Sequence, residues 1–366
     1  MVIAIDAREI ADPRSGKARY VAELVRALAA VDRTNQYLLY VWARPRESYP
    51  TNFTFVVLPK LPGLRFLWLA FDLVRRRTDV FLSPTGYHPI LFSPVPSVLV
   101  LHDLAVLVEP RARPALKTAI MERLGLPLAT RRASHLIAMS DSTKRDVERL
   151  FPHTTGKVTV VHEAAFPLPP QPTSESTLVK KYGLPTSFTL FVSTLEPRKN
   201  VDGLIRAYRQ LPPALRSQSP LLLVGRRGWN TEALAKAIAV GTAGGWLREL
   251  GSVPTEDLPG LYALATAFAY PSWYEGFGLP PLEAMIAGTP VVTANTSSLP
   301  EVVGEAALTV DPADTRALTE ALKRLLTDPK LRARLVAAGS KRVQQFSWEK
   351  AARETLAVLK QVGQRS

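Results

Sequence analysis

The chain has 366 residues, 46% of them hydrophobic, with a formal charge of +14 at neutral pH, enough for two domains of ordinary size that each bury a core. It has no cysteine, which excludes disulfides, thiolate metal sites and cysteine nucleophiles. No apolar run approaches the roughly 20 residues that cross a bilayer. The opening "MVIAIDAREI" enters a strand without the three regions of a signal peptide, so a cytoplasmic chain is expected.

In chain order, short Val-, Ile- and Leu-rich runs predict strands at Val2–Ile5, Tyr37–Trp42, Phe53–Leu58, Asp79–Leu82, Ser97–Leu101, His135–Met139 and Val158–His162. Helical patterns fill the gaps. Gly16 opens "KARYVAELVRALAAV", and Ser140 reads as the amino-cap of "DSTKRDVERLF". The prolines and small polar residues of "FPLPPQPTSES" (166–176) then interrupt the pattern as a linker would. A second series follows, with strands at Phe188–Val192, Leu221–Val224, near Leu250, Ala267–Tyr270, Val291–Thr293 and Ala307–Val310, and with Asn200 and Asn230 as amino-caps. A last helix starts after Ser347. Alternating strands and helices predict an α/β chain of two doubly wound parallel sheets, facing each other across a cleft. The predicted domains are 1–168 and 169–346, with the closing helix 347–366 packing back towards the first.

One segment concentrates polar groups, "YEGFGLPPLEAMIAGTPVV" at 274–292. Pro280 and Pro281 preset a first helical turn, and Gly288 before Thr289 and Pro290 ends the helix. Leu282, Met285 and Ile286 form its predicted buried stripe. Glu275 lies in the loop before the helix and Glu283 is placed in the first turn, beside free backbone N–H groups that attract anions. Two carboxylates there would repel a phosphate, so sugar and ribose hydroxyls are the fitting partners.

The positive charge is read in three ways. "LRFLWLAFDLVRRR" (64–77) joins Phe66, Trp68, Leu69 and Phe71 to Arg75, Arg76 and Arg77, and "RARPALKTAIMERLGLPLATRR" (111–132) repeats the theme. Such basic amphipathic helices suit an anionic membrane surface, or are core helices with a basic end. Nucleic acid is not expected as a partner, since no DNA- or RNA-binding signature accompanies the charge.

Together "YEGFGLPPLEAMIAGTPVV", "STLEPRKN" (193–200), "LLLVGRRGW" (221–229), "LHDL" (101–104) and "SLPEVVGEAALTVDP" (298–312) resemble the family 4 retaining glycosyltransferases of the GT-B fold, in the family's order and over nearly the whole chain. The resemblance implies that 1–168 binds the acceptor and 169–346 the nucleotide sugar. It implies that Glu283 accepts from the ribose, that Glu275 approaches the transferred sugar, and that the backbone of Gly276, Phe277, Gly278 and Leu279 lines sugar and diphosphate. Arg198 and Lys199, after a strand, would meet the diphosphate as it leaves. His102 would lie against the donor sugar, with Asp103 orienting it or touching the acceptor, while Gly225 and Val253 flank the base. Two departures from the family pattern stand out: Ser193 and Thr194 occupy a Gly-Arg position, and Gly16 is single where relatives carry two glycines.

The chain contains no D-x-D triplet, so no metal and no cofactor is expected, with Arg198 and Lys199 taking the part of a divalent ion. The expected reaction is retaining transfer of a hexose, first of all mannose from GDP-mannose, with UDP-glucose and dTDP-rhamnose as alternatives, to a saccharide or lipid-linked saccharide, as in surface polysaccharide assembly. The competing readings are a sugar-nucleotide epimerase or hydrolase of the same fold and a basic non-catalytic binding protein.

Overall fold

The computed structural model describes residues 1–8, 10–11, 15–59, 64–112, 116–167, 169, 171–229 and 232–364; Asn230 lies outside them. The chain forms two compact units, one of Met1–Val108, Arg113–Ala164 and Phe346–Ser366, the other of Glu109–Ala112 and Ala165–Gln345.

In the first unit the strands are β1 (Val2–Asp6), β2 (Gln36–Val41), β3 (Phe53–Val57), β4 (Val80–Ser83), β5 (Ser97–Leu101), β6 (His135–Ala138) and β7 (Val158–Val160), in the order β3-β2-β1-β4-β5-β6-β7. Every pairing is parallel. Strands β4, β5 and β6 are buried along their whole length, as continuous apolar runs covered on both faces should be. The Gly16–Val31 helix starts where the Ser15 hydroxyl accepts from the Ala18 N–H at 3.1 Å, and Ser140 caps Asp141–Leu150 in the same way. The last helix, Trp348–Gly363, belongs to this unit and packs on Gly16–Val31, with the Tyr20 and Trp348 rings 5.6 Å apart.

The second unit holds β8 (Thr189–Val192), β9 (Leu221–Val224), β10 (Leu247–Gly251), β11 (Ala267–Tyr270), β12 (Val291–Ala294) and β13 (Ala307–Val310), all parallel, in the order β10-β9-β8-β11-β12-β13. In both sheets the order reverses once, between β1 and β4 and between β8 and β11. At such a switch point the loops leaving two neighbouring strands part to opposite faces and open a crevice at the strand carboxyl ends.

Local expectations are corrected in three places. Glu175 is already helical, in Glu175–Tyr182 behind a Ser174 cap, so the 166–176 linker is shorter than its composition suggests. Asn200 precedes the Val201–Gln210 helix in a left-handed conformation, φ 55°, and its amide donates to the Pro312 carbonyl at 2.8 Å in place of capping. Ile286 is exposed, and the buried face of its helix is Pro281, Leu282, Ala284 and Met285.

Candidate active site

The helix Leu279–Ile286 follows β11 through the loop 271–278, with Gly278 at its amino-cap at φ 123°. A side chain there would be strained, and a Cβ would stand 3.0 Å from Leu299. Pro280 and Pro281 carry no N–H, so this helix end presents fewer donors than an ordinary one. The loop is pinned from the end of β12: Ser298 Oγ donates to the carbonyls of Glu275 (2.9 Å) and Phe277 (2.6 Å), and Ser297 Oγ accepts from the Glu275 N–H at 2.9 Å. The "SSLPE" stretch thus fixes the backbone at 275–278.

Glu275 is 8% exposed. Its carboxylate accepts from Lys199 Nζ at 2.7 Å, Ser272 Oγ at 2.6 Å and Arg198 Nη1 at 3.1 Å. Burial acts to raise the Glu275 carboxyl, but Lys199 and Arg198 outweigh it and hold it down at about 2. Lys199, also buried, donates a second bond to the Tyr270 hydroxyl at 2.9 Å. Burial pulls its ammonium below the usual value, against the raising effect of Glu275. Arg198 spans Glu196 Oε1 (2.9 Å), the Tyr274 carbonyl (2.7 Å) and Glu275. Lys199 and Arg198 leave β8 and Glu275 leaves β11, the two strands at the switch point, so strand order joins groups 76 and 77 positions apart. With Glu196 the cluster holds two cations and two carboxylates. An ammonium has three donors, and one hydrogen of Lys199 is left without a partner among the described residues.

Glu283 is not in the first turn; it lies a full turn inside the helix, half-buried, where its Oε2 accepts from the Tyr262 hydroxyl at 2.9 Å. The prolines explain the difference, because the helix begins at Leu279, before them. Ser193 and Thr194 follow β8 and Gly225 follows β9, with Gly225 at φ 139°. A Cβ on Gly225 would fall 1.8 Å from the Ser193 carbonyl oxygen, so close approach of two backbones by itself demands this glycine. Val253 packs partly buried against the core after β10, and Phe277 is buried.

In the first unit His102 follows β5. Its Nε2 donates to the Pro84 carbonyl at 2.8 Å, its Nδ1 lies 3.2 Å from Glu163 Oε1, and the ring meets Tyr20 edge-on at 4.7 Å. Both nitrogens are engaged within the protein, which fixes the orientation of the ring. Asp103 does not contact His102 in any of these bonds; its Oδ1 accepts from the Ala105 N–H at 3.0 Å. Asp103 also lines a cavity of about 210 Å³ with Lys17, Tyr87, His88 and Glu122. Burial, then the Asp103 charge, raises the Glu122 carboxyl against the lowering effect of Lys17. Gly16 is exposed at the start of its helix, and a Cβ there would meet nothing within 4 Å.

Glu196, Tyr270, Ser272 and Ser298 around Glu275, and Glu163, Lys17 and Glu122 in the first unit, join these sites without a role assigned from the sequence. Glu196, inside "EPRKN", Tyr270 and Ser272, at the end of β11, Ser298, opening "SLPEVVGEAALTVDP", and Lys17, next to Gly16, carried a positional signal. The others arrive from distant strands and helices.

Residues 14–164 match the family described as Glycosyltransferase Family 4, and residues 177–342 match Glycosyl transferases group 1. Over 263 residues the chain is 39% identical to O-antigen chain mannosyltransferase B of Escherichia coli, covering 71% of this chain and 69% of that protein. It is 36% identical over 175 residues to the serotype-specific mannosyltransferase WbdA of Escherichia coli, of whose length it spans 21%. The solved sucrose-phosphate synthase from Thermosynechococcus elongatus overlays with a TM-score of 0.78, covering all of both chains at 22% identity, a likeness of fold. The two parallel sheets are those of the GT-B fold. The chain belongs to the group 1, family 4 glycosyltransferases, and is a glycosyltransferase.

Proposed function

We propose that this chain is a retaining, metal-independent mannosyltransferase that moves mannose from GDP-mannose to a hydroxyl of a saccharide in polysaccharide assembly, acting in the cytoplasm. The observation that carries this reading is Glu275 buried between Lys199 and Arg198 at the β8–β11 switch point, with one Lys199 hydrogen unpartnered among the described residues. The names of the mannosyltransferase relatives support the sugar. Because Glu275 stays ionised well below neutral pH, it holds both cations in place before substrate arrives. Lys199 and Arg198 are the groups to stabilise the negative charge that grows on the diphosphate as the bond from its oxygen to the sugar breaks. The acceptor oxygen then bonds to the anomeric carbon on the face the diphosphate leaves, and its proton passes to the departing phosphate oxygen. The Glu283 carboxylate, already hydrogen-bonded by Tyr262, is the acceptor for the nucleotide ribose, and the Asp103–Glu122 cavity of the first unit takes the acceptor saccharide.

The experiment combines purified protein, GDP-mannose, an oligomannose acceptor and EDTA, with the product linkage read by NMR. Chelator-insensitive formation of an α-linkage is expected. Loss of activity in EDTA that magnesium restores would overturn metal independence, a β-linked product would overturn retention, and free mannose or an epimerised donor with no transfer would favour the hydrolase or epimerase reading.

A further inference from the structure

The first sheet has a switch point of its own, between β1 and β4, and none of the roles proposed above falls to the residues that leave these two strands. Asp6 ends β1, Arg8 follows it, and Thr85 follows β4. The three line a cavity of about 90 Å³ with Val21 and Trp42. The buried Asp6 carboxylate accepts from Arg8 Nε at 2.7 Å and Nη2 at 2.8 Å, which fixes the guanidinium and leaves its Nη1 without a bond among the described residues. Arg65 is turned to the same place. Its guanidinium carbon lies 6.0 Å from the centre of the Trp42 ring and 4.8 Å from that of Phe66, and that of Arg8 lies 5.9 and 5.5 Å from the same two rings. Among the described residues Arg65 has neither ion pair nor hydrogen bond, and its Nε is buried.

Stability does not account for this cation. It stands in the first turn of the Arg65–Arg75 helix, at the positive end where a cation is disfavoured, and a buried N–H without an acceptor is destabilising. Arg8 already holds both oxygens of Asp6, so one positive charge is left over. His88 feels the same field: burial, then Arg8 and Arg65, push its imidazole below the usual value. His88 also borders the Asp103–Glu122 cavity, and Thr85 lines both spaces. Their sizes select different occupants. A cavity of about 150 Å³ admits a six-membered ring such as benzene; the one at Asp103, about 210 Å³, exceeds that, and the one at Arg8, about 90 Å³, falls short of it. A sugar ring fits the first, and a single oxyanion carried by that ring fits the second. Asp103 and Glu122 line the larger space and not the smaller, so they meet hydroxyls and not the oxyanion. We propose that Arg65 and Arg8 bind an oxyanion substituent of the acceptor, a phosphate monoester or a carboxylate, so that the acceptor is an anionic sugar. This rests on the reading of the Asp103–Glu122 cavity as the acceptor site.

The test measures Kd by ligand-observed NMR on the full chain, saturated with GDP so that Lys199 and Arg198 are occupied, for mannose, mannose 1-phosphate, mannose 6-phosphate and mannuronate. At least one anionic sugar is expected to bind about tenfold or more tighter than mannose, and whether it is a phosphate or the uronate names the substituent. Arg65→Gln should erase that preference and leave GDP affinity unchanged. Arg65 has no partner to strand, so unchanged melting is expected. If the variant melts low, competition in the wild type decides: inorganic phosphate should displace the preferred anionic sugar and leave mannose bound. Anionic sugars that bind no tighter than mannose overturn the proposal, as does a preference that survives in a folded Arg65→Gln or that phosphate does not compete away. Asp103→Asn separates the two readings. Sugar affinities untouched by it, with the preference still lost in Arg65→Gln, would remove the acceptor cavity and keep the oxyanion site.

Discussion

The two units build their polar centres in opposite ways from the same strand-end geometry. At the β8–β11 switch point the charges are packed together: Glu275, Lys199, Arg198 and Glu196 satisfy one another in a nearly closed cluster. Beyond β5 they border open space, as Asp103 and Glu122 face a cavity of about 210 Å³. A buried ion pair costs desolvation that only good geometry repays, and removing one partner strands the other at about 3–5 kcal/mol. The closed cluster is therefore rigid and preorganised, suited to a charge that develops at one place. The open one keeps its carboxylates available to neutral hydroxyls, which a saccharide supplies in several geometries. On the function proposed above, chemistry would fall to the first kind of centre and recognition to the second.

The sharpest way to break that contrast is Lys199→Met, which keeps much of the volume and deletes the charge. Turnover is expected to fall at least ~100-fold, since losing a donor aimed at developing charge costs about 3 kcal/mol, and stability should fall as well because Glu275 loses its shortest cationic partner. Radiolabelled transfer assayed below the variant's melting temperature checks this; full activity in a folded variant would place the diphosphate elsewhere.

Acid probes the same cluster without mutation. The folded Glu275 carboxyl sits at about 2, against roughly 4.3 in an unfolded chain. The unfolded state therefore binds more protons in this window, and the group's stabilisation is complete above pH ~4.3 and disappears as pH falls through about 2. Denaturant midpoints should drop more steeply between pH 5 and 3 for the wild type than for Glu275→Gln. Parallel curves would show that the carboxylate is not held down by its partners.

In the open centre the effect should be smaller and of another kind. Asp103→Asn is expected to raise the acceptor KM about tenfold, the loss of a charge-assisted hydrogen bond, while donor affinity and slow donor hydrolysis stay as they were. A fall in donor affinity would remove the division of labour between the units. Smallest of all, Glu283→Gln should weaken GDP-mannose binding only about threefold by calorimetry, because the amide still accepts one hydrogen bond and Tyr262 keeps its partner. Unchanged affinity would leave Glu283 as a bond that steadies the helix.

Much was legible in the sequence because it depends on near neighbours. Apolar runs bounded by turn residues placed the strands to within a residue or two, since a strand covered on both faces must be apolar throughout. Pro280, Pro281 and Gly288 bracketed the Leu279–Ile286 helix through dihedral preferences that act locally, and the motifs around them sufficed to point to the glycosyltransferase family. What lay one step further out was less legible. Glu283 lies a turn inside the helix whose first turn it was expected to occupy, and of the two readings of 64–77 the packing of Phe66 and Trp68 follows the core-helix one, with Phe71 the strongly exposed aromatic.

Tertiary structure alone decided the partners. Glu275 meets Lys199 because β8 and β11 are adjacent, and nothing in either segment encodes an adjacency 76 positions long. Glu163 reaches His102 from 61 positions away, and Ser298 holds the Glu275 loop from the end of β12. Gly225 is fixed by the Ser193 carbonyl of the neighbouring strand, a contact invisible before the sheet is assembled. The reason is physical: dihedral preference and hydrophobic period act over a turn or a strand, whereas which charges share a site depends on which strand ends the sheet order brings side by side.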